Sequence, residues 1–469
     1  MLIQPLNSAN STVKKTFAPI DYKQSTGQSS FSPKLSRLEK DTVTFTSKTV
    51  QTSLSQVERV QLNKDLDEIE NKSIKYFIDN RSQGGLILDR APNSDNYSWK
   101  KMSSIAATGY GLSALILGTE KSLISKKQAE EYTLQTLKFV DENTPEIQGG
   151  WLAHFMDGET GESIKFKDKD GNVTESSEIS SIDTALFYFN AFASAEYFGG
   201  EVKKQVEKMY NKIDFKMMLT QDNQKPDQLA FNLGFHVKDG KKEFIPYKWD
   251  EYSEGILVPL FALGSKEVPE TVWTKGWDRA KKWEYKGTKT FHHLPLFTYF
   301  YPHGLLDFKD KVDKNGDNFW EESKNAVKMQ MDYCKDSGYP DGLFGITACD
   351  CPNDQYRADQ PCDGANDGII APPAVIACLP FSEKEVSQRI TTLKNLGLIN
   401  NEKYGPCNAY NVKTGWRATD ALGIDLGSML LMIDYYKNNG QIHKLIEKNP
   451  IVKKSMDRAG FRKINSNLS

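Results

Sequence analysis

The residues best able to do chemistry are the carboxylates of two short segments, Ser177-Glu178-Ile179-Ser180-Ser181-Ile182-Asp183-Thr184 and Trp249-Asp250-Glu251-Tyr252-Ser253-Glu254-Gly255. In each, the acids stand beside rings and at the entrance of an apolar run with helical spacing, which places them at the edge of a core and not on a solvated face. Desolvation raises the pKa of the less hydrated carboxyl in such a setting, while a better hydrated neighbour stays ionised. One protonated and one ionised carboxyl is what acid–base cleavage of a glycosidic bond asks for. The helix dipole alone also favours acids in a first turn, so either segment taken singly has a purely structural reading. The pair is what points to catalysis.

Within the first segment, Asp183 and Glu178 can share one opening only if a helix begins between them, because the core face of that run is Ile182, Ala185, Leu186 and Phe189. Glu254 follows Trp249 and Tyr252 and precedes Ile256, Leu257 and Leu260, a setting that should desolvate it more than Asp250 or Glu251 and make it the better acid. Trp151, Trp249, Tyr252, Tyr299 and Trp416 are candidate platforms for sugar faces, with core packing as the competing role. His303, Asp350, Asp367 and Asp425 are candidates for hydrogen bonds to sugar hydroxyls, and a helix start or turn explains such residues equally well.

Helical periodicity positions these groups. Runs near 61–79, 102–118, 125–142, 180–197, 201–219, 251–263, 269–283, 318–336, 371–379, 383–396, 419–438 and 440–460 predict about a dozen helices. Few segments read as strands. The stretch Lys167–Asn172 resembles a hairpin tip, and 234–237 with 243–246 resembles a second hairpin. Connections that lengthen at every second helix predict an all-α fold of helical hairpins closed into an (α/α)6 toroid, with long loops and short hairpins at the cleft end. Two separate bundles are the competing topology.

Residues 1–55, rich in Ser, Thr, Lys and Gln, read as a disordered polar leader, and 56–469 as one catalytic domain. A net charge of -2 offers no field for nucleic acid or anionic membrane, and no apolar stretch reaches a membrane span, so a neutral saccharide is the expected partner of a monomer. The visible start lacks a secretion pattern, giving a cytoplasmic expectation. Cys349, Cys351 and Cys362 lack the paired spacing of a structural zinc site. Asp313-Lys314-Asn315-Gly316-Asp317 with Glu322 imitates a calcium loop, but Lys311 falls at its first ligand position, so the segment reads as a turn into a helix at Phe319. No metal or cofactor is expected.

The order of motifs carries a further signal. Ile105–Leu112, Gly150-Trp151-Leu152-Ala153-His154-Phe155, Glu178–Thr184, Tyr252-Ser253-Glu254, His303–Phe308, Gly345–Ala348, Asp367–Pro372 and Gly423–Gly427 together resemble the bacterial glucoamylase-like family, from about residue 60 onward. The resemblance implies an (α/α)6 barrel and glycoside hydrolysis, in a family that includes endo-β-1,2-glucanases. It places Glu254 as proton donor and Asp183 as its partner, with Glu178 in support. Members of that family are commonly exported, which leaves periplasmic or secreted placement open. The expected function is hydrolysis of a β-glucan, and the competing one is a non-catalytic carbohydrate-binding toroid.

Overall fold

The computed structural model describes residues 53–93, 102–168, 170–220, 229–291, 295–353, 355–362, 366–399 and 403–464. Among them lie fourteen α-helices, of two kinds. Ile105–Glu120, Ser181–Phe198, Leu257–Ala262, Phe297–Leu305, Pro372–Ala377 and Gly423–Asn438 are buried on nearly every face, as runs without a polar stripe must be. Gln56–Asp79, Lys126–Glu142, Gly200–Tyr210, Phe319–Asp336 and Glu383–Asn395 bury one stripe and turn charge outward. The two kinds alternate along the chain except between Leu257–Ala262 and Phe297–Leu305, where only the single turn Thr271–Thr274 intervenes. Small residues let the buried helices approach: a Cβ on Gly109 would lie 2.6 Å from the Phe187 Cα.

Short strands tie the N-terminal ends of the buried helices together. Met102–Ser104, which leads into Ile105–Glu120, pairs with Phe155–Asp157, and Ile179–Ser180, which leads into Ser181–Phe198, pairs with both Leu152–Ala153 and Gly234–Lys238. Arg90–Pro92 pairs with Asp420–Leu422, ahead of Gly423–Asn438. Single backbone bonds complete the collar, from Ile105 N–H to His154 O at 3.0 Å and from Gly423 N–H to Asp89 O at 2.8 Å. Serines stop the strands and start the helices. Ser104 and Ser180 are extended, and their hydroxyls accept the Ala107 and Asp183 N–H groups.

Most expected helices are present, and the departures have local causes. The run 201–219 ends its helix at Tyr210 and continues as a 3-10 turn. The stretch 269–283 holds only Thr271–Thr274 before a strand begins at Lys282. The run 440–460 breaks at Asn449, which caps a new helix opened by Pro450. Phe297–Leu305 was not expected, since Pro302 inside it and its many rings hide the period. Both expected hairpins form, as 165–167 with 173–176 and as 234–238 with 241–244. The expected leader lies outside the described residues except at its end, where it needs correcting. Leu54 is buried and Ser55 forms a reciprocal capping box with Glu58, so the folded part begins before residue 56.

The calcium-like segment is a turn into Phe319–Asp336, as expected. Asp313 Oδ1 accepts the Asn315 and Asp317 N–H groups, and its Oδ2 accepts Trp273 Nε1 and Arg279 Nη2. Among the described residues no cluster of three or more His, Cys, Asp or Glu side chains is arranged to hold a metal ion, and no helix is long and apolar enough to cross a membrane.

Candidate active site

The first acidic segment changes from strand to helix between its two carboxylates, at Ser180 and Ser181. Ser180 Oγ accepts the Asp183 N–H at 3.2 Å and donates to Asp183 Oδ2 at 2.6 Å, fixing the carboxylate at the helix mouth. Glu178, on the strand side, meets His154 Nδ1 at 2.8 Å, and His154 Nε2 lies 3.8 Å from Asp183 Oδ1. The His154 ring lies flat on Phe155, with centroids 3.8 Å apart. Burial opposes ionisation of Glu178, but the charge and hydrogen bond of His154 outweigh it and hold its carboxyl down at about 2. Burial likewise opposes the imidazolium of His154, and Asp183 and Glu178 override it, so its pKa is raised. His154 thus lies between the two carboxyl groups, and both of them favour its protonated form.

Glu254 opens the 3-10 turn Glu254–Ile256, which Ser253 caps by accepting the Gly255 N–H at 3.1 Å. It is only 4 % exposed. Burial pushes its carboxyl up to about 8, the Asp183 charge adding to the effect and a backbone hydrogen bond opposing it. Trp249 lies against this turn so tightly that a Cβ on Gly255 would be 2.1 Å from its ring. The indole Nε1 of Trp249 donates to Ser181 Oγ at 2.9 Å. Trp249 is part-buried.

A second charged group adjoins the first. Arg90 holds Asp350 through both guanidinium ends at 3.2–3.3 Å and approaches Asp89 and Asp420 at 3.5 Å. Asn408 accepts the Asp350 N–H at 2.8 Å and donates from its amide to Asp425 Oδ2. Burial, then the charges of Asp350 and Asp89, push the Asp425 carboxyl up to about 8 against the pull of Arg90. Two phenols join the groups: the charges of Asp183 and Asp425 both act on Tyr110, and those of Asp425 and Glu254 both act on Tyr301. The two rings meet edge-on at 6.4 Å.

The structure therefore brings Glu178, Asp183, Glu254, Asp350 and Asp425 into one region, with Trp249 beside them. Asp367 and Trp416 have other partners. Asp367 pairs with Arg357 at 2.7 Å and is part-buried, and the strand after it pairs with Tyr410–Asn411, just before the turn that carries the part-buried Trp416. Four expected substrate contacts are buried in this structure. Trp151 is wholly buried against Phe215 and Phe261, its Nε1 given to Asp214 O. Tyr252 stacks on Phe291, and Tyr299 donates its hydroxyl to Phe291 O. His303 is locked against Ser323 Oγ at 2.9 Å between Phe308, Trp320 and Phe381. All four are core residues.

Sequence reasoning gave no role to His154, Arg90, Asn408, Tyr110 or Tyr301. His154 sits inside the Gly150–Phe155 motif, directly between the strands Leu152–Ala153 and Phe155–Asp157, and a lone basic residue there was the available signal. Arg90 meets partners 260 residues away, which no local pattern shows.

This helix-rich fold is that of solved glucoamylase-like and endo-β-1,2-glucanase structures. An endo-β-1,2-glucanase from Chitinophaga pinensis, in complex with sophorotriose and glucose, superposes with a TM-score of 0.73 at 22% identity, covering 88% of this chain and 99% of that one. A β-1,2-glucanase from Parabacteroides distasonis gives 0.72 at 19% identity over 85% of this chain and 60% of that one. In sequence, residues 246–450 match the family Glycoamylase, described as "Putative glucoamylase". An exo β-1,2-glucooligosaccharide sophorohydrolase (non-reducing end) from Parabacteroides distasonis is 23% identical over 439 residues, 86% of this chain. The chain spans 58% of the length of that relative. The chain resembles the glucoamylase-like family, as its motifs imply.

Proposed function

We propose that this chain is a glycoside hydrolase acting on β-1,2-glucan or a related oligosaccharide, built as an (α/α)6 barrel from about residue 54 onward. The observation that carries the reading is the contrast between Glu254 and the Glu178–His154–Asp183 triad. Glu254 is desolvated and keeps its proton to about pH 8, while Glu178 in the neighbouring triad is held ionised by His154. A neutral carboxyl next to fixed anions suits protonation of a glycosidic oxygen. Asp183, held by Ser180, is the partner that serves the sugar's other face. Trp249 supplies a flat wall, and the Arg90–Asp350 group with Asp425 offers donors and acceptors to hydroxyls. The alternation of buried and one-sided helices supports the barrel, and the names of the similar proteins support the β-1,2 linkage.

The test is a panel of glucans that includes β-1,2-glucan and short β-1,2-linked oligosaccharides, with product sizes followed over time. Turnover of the β-1,2 substrates by the wild type, with Glu254→Gln and Asp183→Asn both inactive, is the expected result. Binding without turnover over days would replace catalysis by carbohydrate capture, and activity retained in both variants would remove the assigned roles.

A further inference from the structure

Tyr110 is 1 % exposed, and its hydroxyl has no hydrogen-bond partner among the described residues. Buried hydroxyls are nearly always partnered, because leaving one unmatched costs the fold without return. This one stands where the charges of Asp183 and Asp425 both reach it. Nor can its ring swing away to find relief. A Cβ on Gly427, two positions past Asp425, would lie 2.3 Å from the Tyr110 Cβ, so the helix Gly423–Asn438 is pressed directly onto the ring. Tyr301 closes it edge-on. A rigid, unmatched donor within reach of the charges of two carboxyls is arranged for a partner that comes from outside the protein.

We propose that the Tyr110 hydroxyl, against the helix that carries Asp425, binds a saccharide hydroxyl group and so helps to fix the sugar's orientation against the acids. The phenol O–H donates to the sugar oxygen, and the sugar's own O–H is left for a carboxyl to accept. A site built to bond a hydroxyl discriminates strongly against sugars that lack it at that position. The inference rests on the hydrolase reading and deepens it.

Tyr110→Phe removes only the oxygen, and steady-state kinetics on a β-1,2-linked oligosaccharide together with thermal unfolding separate the outcomes. The expected result is a kcat/KM about tenfold lower, one hydrogen bond's worth, with KM raised. Tm should stay level or rise, because an unmatched buried oxygen is gone. Wild-type kinetics in the variant would overturn the proposal. So would a Tm several degrees lower, which would give the hydroxyl a structural job, or a fall in kcat with KM unchanged, which would mean that it acts only in the transition state and does not bind the ground-state sugar. A wild type inactive on every glucan would instead bring down the hydrolase reading on which the proposal stands.

Discussion

Trp249 Nε1 donates to Ser181 Oγ at 2.9 Å, and this hydrogen bond ties the two acidic segments to each other. The ring is clamped on its other side by Gly255, the neighbour of Glu254. One side chain therefore sets the position of Glu254 relative to Asp183. Trp249→Phe keeps an apolar ring but cuts the tie, and kcat is expected to fall by about tenfold or more, since small misplacements of reacting groups are expensive. Fold retention is checked by circular dichroism. Unchanged kcat would show that the tie does not position the acids.

Glu254→Gln replaces a carboxyl that is neutral at pH 7 with a neutral amide of the same shape. Activity is expected to drop by about 10² to 10⁴, the range for a lost general acid, while Tm barely moves. In the wild type, the alkaline limb of kcat/KM should follow loss of the Glu254 proton, with a midpoint at about 8. A pH–rate profile that stays flat to pH 9 would exclude Glu254 as the donor.

The Glu178–His154 pair makes a titration prediction. Glu178→Gln removes one of the two anions that raise the His154 pKa, so its titration midpoint should move down. The chain has 6 histidines, few enough to follow individually by NMR. The pair's contribution to stability has a defined window. Glu178, lowered from 4.5, contributes fully above its unfolded value and loses that contribution as pH falls toward about 2. His154, raised from 6.5, contributes below its unfolded value and loses that contribution as pH climbs through its folded one. The destabilisation of Glu178→Gln should therefore be greatest between those two unfolded values, and urea unfolding at pH 5.5 and pH 9 compares them.

Asp425 and Glu254 run the other way. Their folded pKa values are raised from 3.8 and 4.5 to about 8, so between those limits the folded protein binds more protons than the unfolded chain. Stability from these groups falls as pH rises through that window. Asp425→Asn removes one of them while leaving an oxygen for Asn408, so the variant is expected to be more resistant to urea than wild type at pH 8 and little changed at pH 5. An equal effect at both pH values would mean that Asp425 is already ionised in the folded state.

Much of this arrangement could be read from the chain because the buried helices are long apolar runs and the acids sit at their mouths. The placement of Asp183 just inside a helix that begins after Glu178 follows from pattern alone, and Ser180 makes it physical by capping and bonding the same residue. Glu254 is desolvated as its apolar neighbours imply. The rings were harder. Trp151 and Trp249 look alike in sequence, yet one gives its N–H to a core carbonyl and the other to Ser181 at the site, a difference that depends on partners 63 and 68 residues away. His303 reads as a polar candidate, but burial pushes its pKa down to about 3 and Ser323 takes its nitrogen. Two-residue strands such as Ile179–Ser180 carry no period at all, so the collar joining the helix mouths was invisible until paired.

That collar includes Arg90–Pro92 bonded to Asp420–Leu422, and the guanidinium of Arg90 pairs there with acids from both early and late chain. During synthesis the early strand must wait unpartnered until more than three hundred further residues have left the ribosome, a separation that slows productive pairing. The early-emerging Glu178 and His154 can meet long before then, so the site ripens in stages, with the Arg90 corner assembled last.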